Sequence, residues 1–482
     1  MLSAPPKAPV GQGDSPHYRP SLFGILLIAL LLRLLSISRF SLGNDEIQEI
    51  RFSRLPWKDL IRSVRGSLGH PPLEFILQAG ISRTRAPEWA HRVPSVFAGV
   101  AGIALAMSLA RRWFGRPASL TAGLLLAFSP IHIRYSQEIR PYSLGLCLLL
   151  VSVVALDQCR GKPDSRFATI WFVATLGALY TLYFAGMIAV LVGCLFVAQN
   201  RKAELRALWR TLPFFLAGLF VLYLPWLPVV VETARIKPVA GPEVLDRAWL
   251  SYRLQTLGTG DWSVEPVSVG SIVFWILVIL GIVLAYLSRF AALATGWLVV
   301  GGTAQVIFLR LHPNYPAVRY LTPSWLAAFL LAGFTIELAA RQRVTLILGM
   351  AALLVVLAFD GRTLFGYYDH GRPQWKEVAL YLRTVTQPGE RISANGWAFR
   401  NVGFYWNDEH LGRDDISLER AGGEIVGPAW VVVAVCPMNS AVRSQFEALE
   451  LRAALPMTNH CEIRYLPAGR RLLAPGGLCE AE

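Results

Sequence analysis

The stretch "LFGILLIALLLRLLSISRFSLGNDE", residues 22–46, decides how the rest of the chain is read. Its first part is apolar apart from Arg33 and approaches the roughly 20 residues that a helix needs to cross hydrocarbon. The apolar run is longer than the core of a signal peptide, and no small-residue cleavage site follows it. It is therefore expected to be a retained membrane span. A few residues past its end, Asp45 and Glu46 stand side by side. Adjacent carboxylates at a water boundary suit a solvated helix end, and equally the first turn of a following helix. They also suit work at the membrane surface, on a substrate that lipid and water share.

The whole chain agrees with a membrane setting. Of its 482 residues 54% are hydrophobic and only 16% charged, against about 25% charged in soluble domains; mean hydropathy is +0.44. The net charge of +14 comes from cations that punctuate apolar runs. No basic tract interleaved with aromatics appears, so nucleic acid is not expected as a partner. Cations so placed set orientation, and some can hold anionic lipid phosphates. The six cysteines form no CxxC or CxxC…HxxxH spacing, which argues against structural zinc. Cys436, Cys461 and Cys479 cluster near the C-terminus, where one disulfide with one thiol left over is compatible with an extracytoplasmic location.

About eleven spans are expected, near 21–38, 93–110, 117–133, 141–158, 167–181, 184–199, 211–231, 269–288, 291–310, 321–340 and 344–360. The weakest division lies at Tyr180 to Phe184, a region that also suits one long or re-entrant apolar element. The short connections "RRWFGR" (111–116), "RGKPDSR" (160–166), "NRKAELRALWR" (200–210) and "RQR" (341–343) alternate onto one side, which the positive-inside tendency makes cytoplasmic. A cytoplasmic tail (1–20) then precedes a membrane domain (21–360) whose first extracytoplasmic loop is 39–92. Residues 361–482 change character and are expected to form a small extracytoplasmic α/β domain. There "QWKEVALYLRTV" and "SQFEALELRAALP" read as amphipathic helices and "AWVVVAVCP" as a buried strand. The fold class is thus a polytopic α-helical membrane protein with a C-terminal α/β domain. No glycine loop of the kind that cradles nucleotides appears.

The unusual polar residues gather on the same expected face. "GHPPLEFIL" (69–77) uses two prolines to start a helix, and a helix N-terminus preceded by a histidine is an anion seat, so His70 is a phosphate candidate. "SPIHIRYSQEIRPYSL" (129–144) is bracketed by Pro130 and Pro141; Arg134 and Glu138 stand at i, i+4 pairing distance, which leaves Arg140 for an outside anion. In "HPNYPAVRYLTP" (312–323), Arg319 and Tyr320 open a span, and the arginine fork suits phosphate oxygens. Each group alone also suits an interfacial anchor of aromatic and snorkelling side chains such as Tyr142. Their convergence favours a site.

A first span ending in an Asp-Glu pair, then H-P-P-L, then Arg92-x-Pro94-Ser95, resembles the GT-C glycosyltransferases. Within them it looks like the protein O-mannosyltransferase and aminoarabinose-transferase group, glycosyltransferase family 39. "YSQEIRPYSL" resembles that group's Q/R-E-x-R-x-Y signature and "VRYLTP" its later R-Y-x-x-P element; the stronger likeness covers about residues 25–145. The resemblance implies an inverting enzyme that takes a sugar from a polyprenyl-phosphate donor and attaches it to an extracytoplasmic acceptor. It casts Asp45 as general base and Glu46 as its supporting carboxylate. His70, Arg140, Arg319 and Tyr320 would then serve the donor phosphate, with Arg134, Glu138 and Tyr142 in support. His70 stands where relatives often carry lysine, and a neutral imidazole holds phosphate less strongly. No cofactor is expected, although the carboxylates and His70 offer ligands of a kind that magnesium or manganese accepts.

The rival readings are a transporter or flippase of lipid-linked glycans and a non-catalytic scaffold. A transporter favours charges within spans and repeat symmetry, whereas here the charges sit mainly at span ends and no repeat is evident. The expected location is a cell membrane, multi-pass, of the bacterial inner-membrane type, with the site facing the periplasm or exterior.

Overall fold

Apolar periodicity governs the first and larger part of the chain, and its helices follow the apolar runs. The computed structural model describes residues 18–67, 69–84, 86–159, 165–199, 206–235, 247–260, 267–311, 318–370, 374–434, 438, 440–455, 461–473 and 478. Two compact units are formed. One holds residues up to Leu35 together with Phe52–Phe365; the other joins Ser36–Arg51 to Gly366–Glu482. The segment that carries Asp45 and Glu46 therefore belongs with the C-terminal unit.

The first unit is helical: α1 (Tyr18–Leu34), α3 (Trp57–Ser67), α4 (Leu73–Ser82), α5 (Glu88–Trp113), α6 (Arg116–Phe128), α7 (Pro130–Ser136), α8 (Tyr142–Gln158), α9 (Ser165–Leu179) and α10 (Tyr183–Gln199) come first. Then follow α11 (Arg206–Tyr223), α12 (Leu227–Arg235), α13 (Arg247–Thr259), α14 (Val269–Val283), α15 (Arg289–Leu311), α16 (Thr322–Ala339) and α17 (Arg343–His370). Between the units' segments, α2 (Asn44–Ser53) follows the first apolar helix.

Among the described residues six segments are long and apolar enough to cross a membrane on their own: Glu88–Trp113, Leu212–Thr233, Val269–Leu287, Arg289–Arg310, Val318–Ala339 and Arg343–Asp369. The apolar window of Val318–Ala339 is 89% buried, against 17% for Leu212–Thr233 and 22% for Arg343–Asp369. So α16 is the central helix, and the other two leave apolar flanks that lipid would cover. The protein is a multi-pass membrane protein. The apolar runs at 141–158, 167–181 and 184–199 form shorter helices of 17, 15 and 17 residues. The break expected near Tyr180 to Phe184 is present, since α9 ends at Leu179 and α10 begins at Tyr183. The run at 117–133 divides at Ser129, whose side chain caps α7 by accepting from the His132 N–H.

A buried polar knot ties α1 to that division. Arg33, inside the first apolar run, is fully buried. Its guanidinium donates to the carbonyls of Leu126 and Ala127, the last turn of α6, and to His132 Nδ1 at 2.8 Å. Those carbonyls have no partner within their own helix, so a cation there satisfies them and suits the negative helix end. Gln137 completes the knot by donating to the carbonyls of Arg33 and Leu35.

Close helix contact fixes α16 against α6. A methyl group on Gly333 would come within 2.7 Å of the Ala118 carbonyl oxygen, and backbone cannot give way as a flexible side chain can. Gly333→Ala is expected to cost about 1–3 kcal/mol through this overpacking. The check is a lower thermal midpoint in detergent with helix content unchanged.

The second unit is α/β. Its elements are α18 (Trp375–Val385), β1 (Arg391–Ala394), α19 (Gly396–Gly403), β2 (Leu418–Arg420), β3 (Glu424–Val426), β4 (Ala429–Val433), α20 (Ser440–Glu447), β5 (Glu450–Leu455), β6 (Cys461–Leu466) and β7 (Arg471–Leu473). The main sheet runs β2-β1-β4-β6-β5, and β3 pairs with β7 apart from it. β1 is parallel to β2 and β4, while β6 is antiparallel to β4 and β5. The helix over 375–385 and the buried strand at 429–433 match the sequence pattern. The expected helix over "SQFEALELRAALP" does not form as one piece: α20 stops at Glu447, and residues 450–455 pair with β6. Cross-strand pairing there outweighs the helix preference of its Glu, Leu and Ala residues. Cys461 is a free buried thiol, pushed up to about 12 by burial and then by neighbouring Glu462. Cys436 and Cys479 lie outside the described residues.

Candidate functional site

In the first unit, three separate stretches of sequence meet around one aromatic ring, Tyr142. His70 precedes α4, whose first N–H, that of Leu73, donates to the Tyr180 carbonyl at 2.9 Å and so pins this helix start to the α9–α10 turn. Arg140 and Tyr142 flank Pro141 at the start of α8. Arg319 and Tyr320 lie in a short 3-10 turn, Val318–Leu321, ahead of α16. That turn is held by Gln305, which donates to the Tyr320 carbonyl, and by Thr322, which donates to the Arg319 carbonyl.

The His70 ring meets Tyr142 edge-on with centroids 5.7 Å apart and lies 6.3 Å from Tyr320. The guanidinium carbon of Arg140 is 5.9 Å from the Tyr142 ring, and that of Arg319 is 5.7 Å from Tyr142 and 5.6 Å from Tyr320. The Tyr142 hydroxyl reaches His70 Nε2 at 3.4 Å, while His70 Nδ1 is buried without a hydrogen-bond partner. Burial holds the His70 pKa well below the ordinary histidine range, and the Arg140 and Arg319 cations add to the effect. The imidazole is therefore neutral, and the fixed positive charge of the cluster comes from the two arginines.

His70 and Tyr320 also line a cavity of about 150 Å3. Its walls are apolar and aromatic, with Tyr183, Phe184, Met187 and Phe308 among them. Two guanidinium groups near Tyr320, itself a wall residue of the apolar cavity, offer the chemistry that an anion with a hydrocarbon tail would need.

Glu74 is a part of this neighbourhood that sequence reading missed. It is buried on α4, a 10-residue helix too short to cross a membrane. Gln78 donates to it at 2.9 Å; Gln78 also donates to the His91 carbonyl and contacts His91 Nδ1. Burial pushes Glu74 up to about 7, with the Gln78 hydrogen bond and the Arg140 charge opposing. Between its ordinary 4.5 and about 7, the folded chain keeps a proton that the unfolded chain has lost. Stability through this group is therefore full below pH 4.5, falls as pH rises across that window, and levels off above it, an effect of about 3 kcal/mol. Wild-type thermal midpoints should accordingly drop between pH 5 and 8, and Glu74→Gln should flatten that drop.

Arg134 and Glu138 form their expected i, i+4 ion pair at 3.0 Å. Asp45 and Glu46 lie in the other unit, in the first turn of α2. The Ile47 N–H donates to the Gly43 carbonyl at 2.9 Å, which makes Gly43 the helix cap. Glu46 reaches back so that its carboxylate accepts from the Gly43 N–H at 2.8 Å, the acidic half of a capping box. Glu46 is buried, whereas Asp45 is partly exposed. The segment is anchored by Ser41 donating to Glu377, by Leu42 N–H donating to the Tyr405 hydroxyl, and by an Arg51–Asp408 ion pair at 2.8 Å. Among the described residues, no three His, Cys, Asp or Glu side chains converge as metal ligands do.

Residues 69–228 match the family described as dolichyl-phosphate-mannose-protein mannosyltransferase. No curated protein matches the chain in sequence. ArnT from Cupriavidus metallidurans in the apo state is similar in structure, with a TM-score of 0.56 at 14% identity over 93% of this chain and 98% of that one. Its complex with undecaprenyl phosphate gives 0.54 at 13%, over 96% and 100%. The fold is that of the GT-C glycosyltransferases. The oligosaccharyltransferase of Archaeoglobus fulgidus in the apo form, at 12% identity and a TM-score of 0.53, shares it over 80% of this chain and 64% of its own. In this GT-C fold the matched stretch runs from the glycine before His70 to the start of α12, so it includes His70, Glu74, Arg140 and Tyr142 but neither Asp45 nor Arg319.

Proposed function

We propose that the protein is a glycosyltransferase that moves a sugar from a polyprenyl-phosphate donor to an acceptor on the extracytoplasmic side of a cell membrane. The observation that carries this reading is the pairing of Arg140 and Arg319, around Tyr142, with an aromatic-walled apolar cavity lined in part by His70 and Tyr320. An amphiphilic phosphate matches that pairing group for group. The fold likeness to ArnT, one structure of which holds undecaprenyl phosphate, supports the same donor class.

In this reading the acceptor hydroxyl gives its proton to Asp45 as its oxygen attacks the anomeric carbon, with inversion. The bond from that carbon to the phosphate oxygen breaks, and the lipid phosphate leaves with the electron pair. A phosphate needs no second acid to leave, but its charge needs fixed cations, and Arg140 and Arg319 supply them. His70, as a neutral hydrogen-bonding group, and the Tyr320 hydroxyl orient the phosphate. Glu46 serves by fixing the first turn of α2 that bears Asp45. Arg134, Glu138 and Tyr142 hold the Arg140 turn in shape. No step is routed through a metal. The alternation of basic connections supports a cytoplasmic side opposite the site, as in a bacterial inner membrane.

The test is to incubate the purified full chain with a panel of polyprenyl-phosphate sugars and a membrane extract as acceptor source, and to follow free lipid phosphate. Release with one donor class, dependent on the extract, is the expected result. Tight donor binding with no sugar lost from any donor would replace this reading with transport of lipid-linked glycans.

A further inference from the structure

The C-terminal unit contains another cavity, this one polar and of about 500 Å3, formed within that unit alone. It opens where the parallel strands β1 and β2 end. In α/β sheets the crevice outside the carboxyl ends of parallel strands is where ligands are commonly held. Gly396, Arg400, Gly403 and Asn407 line it at helical spacing along α19 and the turn after it, and Arg420, the last residue of β2, faces them. The two glycines remove side chains from that face and leave a groove beside the helix. Arg51 from α2 contributes a third guanidinium, held by its ion pair with Asp408. Three arginines thus line the cavity, and no carboxylate is among the described lining residues. Trp397, also lining the cavity, is 42% exposed. A tryptophan this exposed in a cavity wall has indole surface available to a ligand.

We propose that this cavity binds an acidic saccharide, with its carboxylate or phosphate on Arg400 and Arg420 and one sugar ring stacked on Trp397. The guanidinium fork matches carboxylate and phosphate geometry. The C–H face of a pyranose lies flat on an indole, and the Asn407 amide can both donate to and accept from ring hydroxyls. The volume lies within the usual range for a small ligand, roughly 300–1,000 Å3. A simple anion would leave the indole unused, and a neutral sugar would leave the arginines unused. The combination selects a ligand with both parts, and the proposal does not depend on the transfer reaction.

Isothermal titration and saturation-transfer NMR on the detergent-purified full chain test it, with trigalacturonate as probe. Maltotriose, inorganic phosphate and a hexaglutamate peptide are the comparisons. Trigalacturonate should bind at least tenfold more tightly than each of the three. The double variant Arg400→Ala/Arg420→Ala should weaken it tenfold or more, and Trp397→Ala about fivefold with loss of the saturation-transfer signal from the sugar C–H protons. These side chains are exposed, so unchanged thermal midpoints will show that the variants fold. Equal affinity in wild type and variants overturns the proposal, as does the absence of binding. Phosphate or hexaglutamate binding as tightly as the saccharide overturns it too, in favour of a plain anion or acidic-peptide site.

Discussion

Replacing Asp45 by asparagine is expected to lower turnover by about 10²–10⁴ while donor binding stays within a few fold. That range is what a positioned general base contributes when proton removal accompanies bond formation. The substitution keeps size and hydrogen-bonding shape and removes only the capacity to take the proton. Asp45 sits in the second helical position of α2, after its Gly43 cap. Losing one acidic group from a helix first turn costs at most about 1 kcal/mol, so the protein should remain folded. Glu46→Gln provides the contrast. Its carboxylate is committed to the Gly43 N–H, and glutamine can still accept there, so turnover should fall far less, about tenfold or below. Single-turnover release of lipid phosphate separates chemistry from binding in both variants. An Asp45→Asn protein that turns over at the wild-type rate would remove Asp45 as base.

The different standing of these neighbours shows what a sequence can and cannot disclose. The apolar runs, the punctuation by Arg and the breaks at proline were legible because each reports a local requirement, such as a length of hydrocarbon or a missing N–H. The Arg134–Glu138 pair was legible for the same reason, since i, i+4 spacing fixes the geometry. The gathering of His70, Arg140, Tyr142, Arg319 and Tyr320 was only suggested, by their shared place at span ends. Glu74 gave no signal at all. It follows Leu73 as one acid in an amphipathic run, and its raised pKa arises from burial that only the folded helices create. Arg33, inside the first apolar run, likewise announced no role, yet it is the donor to the carbonyls that end α6. The misread segment 450–455 has helix-forming residues whose strand state is set by β6, a partner eleven residues further on. Helix and strand preferences of that size are overruled by cross-strand packing.

Arg319→Ala and Arg140→Ala should each weaken binding of a polyprenyl phosphate by 30-fold or more, and the double variant should bind none at accessible concentrations. Truncating one member of a desolvated, hydrogen-bonded charge pair costs about 2–5 kcal/mol, and about 1.4 kcal/mol is tenfold in affinity. In the proposed reading both arginines hold an anion near a largely apolar cavity, and in apolar surroundings water substitutes poorly for a lost cation. His70→Ala should cost much less, within about tenfold, because a neutral hydrogen-bond partner contributes about 1 kcal/mol. That ranking is the reverse of the one a lysine in this motif position would give, and it follows from the pKa of His70. Burial first, and then the two arginines, keep its imidazole uncharged, so the arginines must carry the phosphate charge unaided. Arg319→Lys should recover only part of the loss, since an ammonium cannot reproduce the two-pronged contact or the stacking on Tyr142 and Tyr320. Binding of a short-chain polyprenyl phosphate to each purified variant, measured by calorimetry, decides the order. Equal losses for His70→Ala and Arg319→Ala would place a positive charge on His70 in the bound state and assign the phosphate to all three side chains.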